Sequence, residues 1–231
     1  MRISVVGTGY VGLVVGTGLA EIGHFVMCVD SDQNRVNELC QGKLPIYEPG
    51  LEELLLRNVE EGRLSFTNDL SDAVAHSTVI FICVGTPSGD EGGADVSEVL
   101  NVAREIGKAM PGYRVVVVKS TCPVGTCDRV EQTLREITSH PFDVVSNPEF
   151  LREGAAVDDF LRPDRVIVGS EDVRVEELMR ELYNPVLRSG NPFIAMSRRS
   201  AELAKYACNS LLAARISLLN EIAVLCEEYG A

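Results

Sequence analysis

The sequence lacks the features that mark three classes of protein. It has no Cys-x-x-Cys pair and no group of Cys and His at zinc spacing, so we expect no metal site. No apolar run reaches the roughly 18 residues that a membrane span requires, so we expect no membrane helix. Positive charge is scarce, because 21 Lys and Arg stand against 34 Asp and Glu, a net charge of −13. This balance argues against a general nucleic-acid binder and against attachment to anionic membranes.

A disulfide framework and a targeting segment are also missing. The seven cysteines are an odd number, and Cys28 and Cys83 lie inside apolar runs, as buried thiols in a reducing compartment do. The apolar N-terminal segment is interrupted by five glycines between residues 7 and 18, unlike a signal peptide. We therefore expect a cytoplasmic globular protein, since 231 residues, 45% of them hydrophobic, can bury a sizeable core.

What the sequence does contain is an alternation of short β-branched runs with longer helical patterns. Strands alternating with helices imply parallel pairing through crossovers, so the sequence predicts an α/β fold with a doubly wound, Rossmann-type parallel sheet. The predicted strands are 2–6, 25–29, 78–84, 114–119, 142–146 and 165–169, and the predicted helices are 10–22, 32–40, 50–61, 96–110, 128–137 and 173–183.

The last part of the chain has a different pattern. Residues 199–229 contain no Pro and no Gly, and apolar residues recur there at three- and four-residue steps. The pattern predicts one amphipathic helix of about 45 Å. A helix of that length usually connects domains or subunits.

The first predicted strand leads directly into a glycine-rich turn. Residues 7–12 read GTGYVG, and Asp30 follows Gly12 by 18 residues at the end of the second strand. This context predicts a dinucleotide site, with Gly7 for the tight turn, Gly9 for approach to the pyrophosphate and Gly12 for close packing of helix and strand. Asp30 would accept hydrogen bonds from ribose hydroxyls and repel a 2′-phosphate, which favours NAD over NADP. Arg35 nearby is counted with the cofactor site and is the one reason to consider NADP. FAD binding, or a turn with a purely structural role, would also fit these residues.

Polar segments follow three of the later strands, at the edge where open α/β sheets bind ligands. They are 84–87 (VGTP), 119–126 (KSTCPVGT) and 146–154 (SNPEFLREG). On the long helix, Lys205 and Asn209 are four residues apart and share a face. A lysine beside an amide could bind an oxyanion, although a lysine that extends along an apolar face would give the same pattern. The three polar segments could likewise be ordinary turns and helix caps.

Together these segments resemble the UDP-glucose/GDP-mannose dehydrogenase family. The resemblance is carried by GTGYVG, CVGTP, KSTCPVGT, SNPEFLREG and AELAKYACNSLLAARISLLNE, which span residues 7–221. It implies a four-electron oxidation of the C6 alcohol of a nucleotide sugar to a carboxylate by two NAD⁺. Residues 162–169 (RPDRVIVG) resemble the UDP-glucose branch more than the GDP-mannose branch, so UDP-glucose is the expected substrate and GDP-mannose the alternative.

The resemblance also implies roles for individual residues. Those implied to hold the adenosine and pyrophosphate half of NAD are Gly7, Gly9, Tyr10, Val11, Gly12 and Asp30. Thr86 and Thr121 would contact the cofactor nearer the nicotinamide, and Thr121 would order a catalytic water. Glu149 would be the general base for attack of water on a thioester. Phe150 and Leu151 would contact the substrate through their backbone, and Glu153 would lie beside cofactor and substrate. Lys205 and Asn209 would stabilise the developing oxyanion.

One part of the family pattern is not found. The nucleophilic cysteine of the family belongs to a GxxCFPKD-type segment beyond the long helix, and none of the seven cysteines occupies that position. Cys122 follows Thr121 and is a conceivable substitute, although no base is evident beside it. We therefore expect an NAD-binding domain at 1–196 and, at 197–231, the long helix that begins the central dimerisation domain of a longer enzyme.

Two consequences follow, and two different functions stay open. The 231 residues alone should bind NAD without turnover, and the 199–229 helix should pair two copies into a homodimer because its apolar face lacks a cover. One open function is a two-electron enzyme of the β-hydroxyacid dehydrogenase type, which also pairs a Rossmann domain with a Lys-x-x-x-Asn helix. The second is a non-catalytic NAD-binding or dimerisation module.

Overall fold

The computed structural model describes residues 1–89, 92–187, 190 and 192–231. Within these residues a sheet with helices on both faces is followed by one long helix. The strands are β1 (Arg2–Val6), β2 (Phe25–Val29), β3 (Leu64–Thr67), β4 (Val79–Ile82), β5 (Arg114–Val118), β6 (Phe142–Ser146), β7 (Val166–Gly169) and β8 (Phe193–Met196). The helices are α1 (Tyr10–Glu21), α2 (Gln33–Cys40), α3 (Leu51–Glu60), α4 (Leu70–His76), α5 (Ser97–Ala109), α6 (Thr126–Ile137), α7 (Ala156–Leu161), α8 (Val173–Leu187) and α9 (Arg198–Tyr229).

The strand order of the sheet is β3-β2-β1-β4-β5-β6-β7-β8. β1 therefore lies between β2 and β4. The chain adds β2 and β3 on one side of β1, and then returns to add β4 and the later strands on the other side. The strands from β1 to β6 pair in parallel, which confirms the predicted doubly wound sheet. A crevice at the carboxyl ends of β1 and β4 is where such sheets bind nucleotides.

The far edge of the sheet differs from this pattern. β6 and β7 are antiparallel and meet at the single pair Ser146–Gly169, while β7 and β8 are parallel. The segment between β6 and β7 contains only the six-residue helix α7, and after it the chain runs antiparallel to β6. That segment includes residues 147–154, so the polar loop lies where the chain reverses.

The core consists of one apolar layer on each face of the sheet. The middle strands β4 and β5 are buried along both faces, which explains their continuous apolar sequence. α1 packs on one face with small residues, and a Cβ at Gly18 would overlap the ring of Phe160 on α7. The close contact between α1 and α7 holds the polar loop before α7 near the glycine-rich turn before α1.

The long helix α9 is anchored through its first three turns. Ala201, Glu202 and Lys205 are buried, whereas nearly all residues beyond Cys208 are exposed. The Glu202 carboxylate accepts hydrogen bonds from the backbone N–H groups of Gly125 at 2.6 Å and Cys127 at 2.7 Å, at the start of α6. α9 is thereby fixed to the loop between β5 and α6.

The exposed part of α9 corrects one expectation from the sequence. By length and composition alone this helix could cross a membrane, since an 18-residue window within it is apolar enough and contains at most two charged residues. Isolated polar residues interrupt the apolar runs of this helix, but its mean hydropathy over 18 residues remains high enough for a membrane span. The same composition suits a helix that packs against another protein surface.

Candidate active site

The glycine-rich turn between β1 and α1 leaves room for a phosphate group. Gly7 has a φ of +98°, and a Cβ there would lie 2.7 Å from the carbonyl oxygen of Cys83. α1 begins at Tyr10, and its N-cap Gly9 provides no side-chain hydrogen bond to the first turn. The N–H groups of that turn therefore remain available to an anion, which the helix dipole also favours. A Cβ at Gly12 would overlap the carbonyl oxygen of Gly7, and Val11 packs against the core.

Asp30 is held at the end of β2 in a geometry that suits a ribose. Its Oδ2 accepts from the backbone N–H of Thr8 at 2.9 Å and from the Thr8 hydroxyl at 2.6 Å, and its Oδ1 accepts from the N–H of Asp32 at 3.0 Å. Arg35 Nη1 lies 3.2 Å from the same carboxylate. Burial alone would raise the pKa of Asp30, but these hydrogen bonds and Arg35 lower it below its usual value. The protein itself therefore keeps this carboxylate ionised and oriented.

A cleft of about 380 Å³ extends from the glycine-rich turn past Asp30. Glu98 and Glu105 of α5 line it together with Asp30. Among the described residues that line it, the only cation is Arg35, and its charge is already opposed by Asp30. A 2′-phosphate would therefore meet repulsion, so the residues fit NAD better than NADP.

Thr86 and Thr121 lie side by side at the carboxyl ends of β4 and β5. The hydroxyl of Thr86 donates to the backbone oxygen of Thr121 at 2.8 Å. Glu202 holds the other end of the same loop through Gly125. The loop that carries Thr121 is thus fixed from the sheet and from α9.

Glu149 and Lys205 form a shielded ion pair. Lys205 Nζ lies 2.7 Å from Glu149 Oε1, and their side chains are 8% and 13% exposed. Glu149 Oε2 also accepts from the backbone N–H of Leu151 at 2.6 Å. Two cations lie over the Phe150 ring, whose centroid is 5.3 Å from Lys205 Nζ and 4.4 Å from the Arg165 guanidinium carbon.

These residues line a second cleft of about 310 Å³. It brings together five residues that the sequence places at the substrate, namely Glu149, Phe150, Leu151, Lys205 and Asn209. Asn209 is exposed at its rim, one turn of α9 beyond Lys205. Glu153 is exposed and does not line this cleft. The structure thus groups the predicted substrate residues with the exception of Glu153.

A buried lysine in the wall of this cleft was not predicted from the sequence. Lys119 is 5% exposed, and its Nζ donates to the Asn147 side-chain oxygen at 3.1 Å. The same oxygen accepts from the Tyr183 hydroxyl at 2.6 Å, and the Asn147 amide nitrogen donates to the carbonyl of Ile167 at 2.8 Å. Burial lowers the pKa of Lys119 to about 8. Both Lys119 and Asn147 directly follow buried strands, a signal that could have identified them, whereas nothing in the sequence marks Tyr183 on α8.

The thiols near the clefts differ in their surroundings. Cys122 is 4% exposed, and burial raises its pKa to about 12, with Glu202 adding to the shift. It is therefore a protonated, shielded thiol, unsuited to the nucleophile's role. Cys208 lines the second cleft, with its Sγ 3.6 Å from Arg165 Nη2. The part of the chain that the structure describes has no group of three or more His, Cys, Asp or Glu that could hold a metal ion.

Comparisons with known proteins match both parts of the chain. The model described as UDP-glucose/GDP-mannose dehydrogenase family, NAD binding domain, matches residues 1–187, and the central-domain model of the same family matches residues 199–231. The UDP-glucose 6-dehydrogenase of Rhizobium meliloti is 52% identical over 100% of this chain and 54% of its own length. The chain thus spans about half the length of the curated relatives that it matches.

Two solved structures are similar over almost the whole chain. A UDP-glucose dehydrogenase from the archaeon Pyrobaculum islandicum has a TM-score of 0.93 at 43% identity, covering 97% of this chain and 52% of that one. A ternary complex of GDP-mannose dehydrogenase from Pseudomonas aeruginosa has a TM-score of 0.92 at 40% identity, covering 96% and 52%.

Proposed function

The chain belongs to the UDP-glucose/GDP-mannose dehydrogenase family, and we propose that it is the NAD-binding portion of an enzyme that oxidises UDP-glucose to UDP-glucuronate. The observation that carries the proposal is the shielded pair of Glu149 and Lys205, which lies in a cleft beside the loop of Thr121, a residue predicted to contact the cofactor. Two clefts meet the two needs of such an enzyme, because one fits a dinucleotide and the other combines a cation, an amide and a carboxylate.

Each of these groups has a chemical task in alcohol-to-acid oxidation. NAD, when bound, accepts the hydrides. The Lys205 ammonium, with Asn209 one turn away, would stabilise the oxyanion that develops at C6. Glu149 would accept a proton from the attacking water, and the paired ammonium holds its carboxylate in place for that task. Thr121 would position that water near the nicotinamide.

The choice of UDP-glucose rests on residues 162–169 and on the names of the relatives. The second candidate is GDP-mannose, because the solved GDP-mannose dehydrogenase is nearly as similar as the UDP-glucose dehydrogenase. Asp164 and Arg165 of this segment line the cleft, so they are placed to discriminate between sugar nucleotides.

We propose the same domain organisation as the sequence suggests, with an NAD-binding domain at 1–196 and the start of a central domain at 197–231. Two family models that match 1–187 and 199–231 support this division. We further propose a cytoplasmic homodimer that forms through α9. The support for the dimer is the row of exposed apolar side chains on that helix, among them Leu211, Leu218 and Ile222.

Calorimetric titration of residues 1–231 with NAD⁺, NADP⁺ and UDP-glucose tests the cofactor half of the proposal. NAD⁺ should bind saturably and more tightly than NADP⁺, and Asp30→Ala should abolish or greatly weaken binding. Asp158→Ala is the matched control, since this side chain is 75% exposed and lies outside the clefts. A folded wild-type protein that fails to bind NAD⁺ would refute the assignment.

The catalytic half is tested with the same protein and an NADH assay. The 231 residues should bind NAD⁺ without steady NADH production from UDP-glucose or GDP-mannose, because Cys122 is shielded and protonated. Steady production would contradict this expectation. Its loss in Cys208→Ala would then assign the nucleophile to the thiol in the substrate cleft.

A further inference from the structure

We propose that Glu48 is a positioning residue that couples the pyrophosphate turn to the loop at 150–156, so that a bound dinucleotide orders that loop. The inference rests on the proposed function for its ligand, since the turn must bind NAD for the coupling to be used. It concerns a residue outside both clefts, in the segment between α2 and α3.

Glu48 is a buried carboxylate that three donors converge on. It is 4% exposed. Its Oε2 accepts from the Tyr10 hydroxyl at 2.8 Å and from the Gly154 N–H at 2.9 Å, and its Oε1 accepts from the Ala156 N–H at 2.8 Å. Within the described residues no Lys or Arg forms an ion pair with it. A buried carboxylate without a cation is stable only when such hydrogen bonds replace water.

The hydrogen bonds also fix the protonation states. Burial by itself would raise the pKa of Glu48, but the Gly154, Tyr10 and Ala156 donors lower it below its usual value. Burial, followed by the carboxylate itself, raises the pKa of Tyr10. At neutral pH the tyrosine is therefore the donor and the glutamate the acceptor, and the contact is a charge-assisted bond.

Tyr10 connects this carboxylate to the cofactor turn. It is the first residue of α1 and directly follows the N-cap Gly9, so its backbone N–H would face the pyrophosphate of a dinucleotide at this turn. Its hydroxyl also donates to the Arg152 carbonyl at 3.2 Å. One side chain thus contacts the turn through its backbone and both Glu48 and the loop through its hydroxyl.

The loop on the other side is otherwise held by few contacts. Arg152 pairs with Asp159 at 2.6 Å, which closes the loop onto α7 but not onto the sheet. Gly154 has a φ of +86°, and residues 152–154 are exposed. Together with the Tyr10–Arg152 hydrogen bond and the packing of α7 on α1, Glu48 therefore ties this loop to α1. Because Phe150 and Leu151 belong to this loop and Glu149 directly precedes it, ordering the loop also orders the wall of the substrate cleft.

Coupling of this kind is reciprocal. If a dinucleotide that restrains the first turn of α1 restrains the loop, then a substrate that restrains the loop must raise dinucleotide affinity by the same factor. A purely structural role for Glu48 requires only the two backbone amides of the loop. A structural role does not need the hydrogen bond from the Tyr10 hydroxyl to Glu48. Removing that hydroxyl therefore distinguishes the coupling from a structural role.

Hydrogen exchange at the Gly154 and Ala156 amides, followed by mass spectrometry or NMR on residues 1–231, provides the readout. The proteins are the wild type, Tyr10→Phe and Glu48→Gln, each at saturating NAD⁺ and without it. The matched control is Tyr113→Phe, which also removes a tyrosine–carboxylate bond, of 2.7 Å to Asp143, at the opposite end of the strands. Thermal melts establish that each variant is folded.

We expect NAD⁺ to slow exchange at both amides at least about fivefold in the wild type and in Tyr113→Phe. The slowing should fall below about twofold in Tyr10→Phe and Glu48→Gln. Equal slowing in all four proteins, or none in the wild type at saturation, would overturn the proposal.

A second measurement needs no cofactor. Without NAD⁺, Tyr10→Phe should speed exchange at Gly154 and Ala156 while leaving amides of β5 unchanged. Unchanged exchange at the two loop amides would overturn the link between Tyr10 and the loop. This result separates failure of the coupling from failure of NAD⁺ to bind, which would refute the proposed function instead.

Discussion

Because Lys119 is buried, the free energy of unfolding should rise with pH in the alkaline range. A lysine that gains a favourable contact on folding would have the opposite effect. Burial lowers the pKa of Lys119 from 10.5 to about 8 in the folded protein. Between these two values the unfolded chain holds a proton that the folded protein has lost. The unfolded state binds more protons there, so stability rises with pH. Below pH 8 the folded protein carries a buried ammonium, and above pH 10.5 both states are neutral and the penalty is gone.

The size of the effect follows from the shift. A difference of 10.5 − 8 = 2.5 pKa values corresponds to a penalty of about 3 kcal/mol at full protonation. Most of it should disappear between about pH 7 and pH 10, which leaves an expected gain of about 2 kcal/mol. Other buried groups also bind different numbers of protons in the folded and unfolded states in this range, among them Cys83, whose pKa burial raises from 9.0 to about 12 in the folded protein. Only a difference between variants therefore isolates Lys119.

The assay is urea unfolding of the wild type and of Lys119→Met at several pH values from about 7 to about 10. The wild type should gain about 2 kcal/mol relative to Lys119→Met over this range. Lys108→Met is the control, because Lys108 is half exposed on α5 and its difference from the wild type should vary by less than about 0.5 kcal/mol. A difference for Lys119→Met that is flat, or that changes in favour of the variant, would refute the reasoning.

Three further predictions concern packing, anchoring and assembly. Gly18→Ala should lower the free energy of unfolding by about 1–3 kcal/mol, because the added Cβ would overlap the Phe160 ring. In the same urea series the control Gly112→Ala, whose Cβ would meet open space, should change it by less than about 0.5 kcal/mol. Glu202→Gln turns an amide group toward one of two backbone N–H donors and should cost about 1–3 kcal/mol; a cost near zero would show that the carboxylate does not anchor α9. Leu218→Asp should convert the expected dimer into a monomer in sedimentation equilibrium, since Leu218 is 61% exposed on the helix, and a wild type that is monomeric at micromolar concentration would contradict the dimer.

The parts of the fold with strong local patterns could be predicted from the sequence. The buried strands and the helices of ten or more residues carry continuous or periodic apolar residues, so the predicted bounds of α1, α5 and α9 lie within two residues of the observed ones at each end. Four short elements were missed, namely β3, α4, α7 and β8. Each has four to seven residues, too few for a periodicity to be distinguished, and their existence depends on neighbours that are distant in sequence.

The same contrast applies to the site. The place of Asp30 beside the glycine-rich turn could be predicted because its spacing from that turn is fixed by one helix and one strand. Glu48 could not, because its partners are 38, 106 and 108 residues away and no local pattern distinguishes it from a surface glutamate. Glu202 could not be identified for the same reason, since it contacts residues 75 and 77 positions earlier in the sequence.

The anchoring of α9 at one end makes it a lever. Its 32 residues extend about 48 Å, and the fixed part is confined to the turns that carry Glu202 and Lys205. A tilt of about 5° at Lys205 moves the free end, about 36 Å away, by about 3 Å. Conversely, displacing the free end by several ångströms changes the angle at Lys205 by only a few degrees. Whatever binds the outer part of this helix can therefore move through several ångströms and leave the 2.7 Å contact between Lys205 Nζ and Glu149 Oε1 almost unchanged.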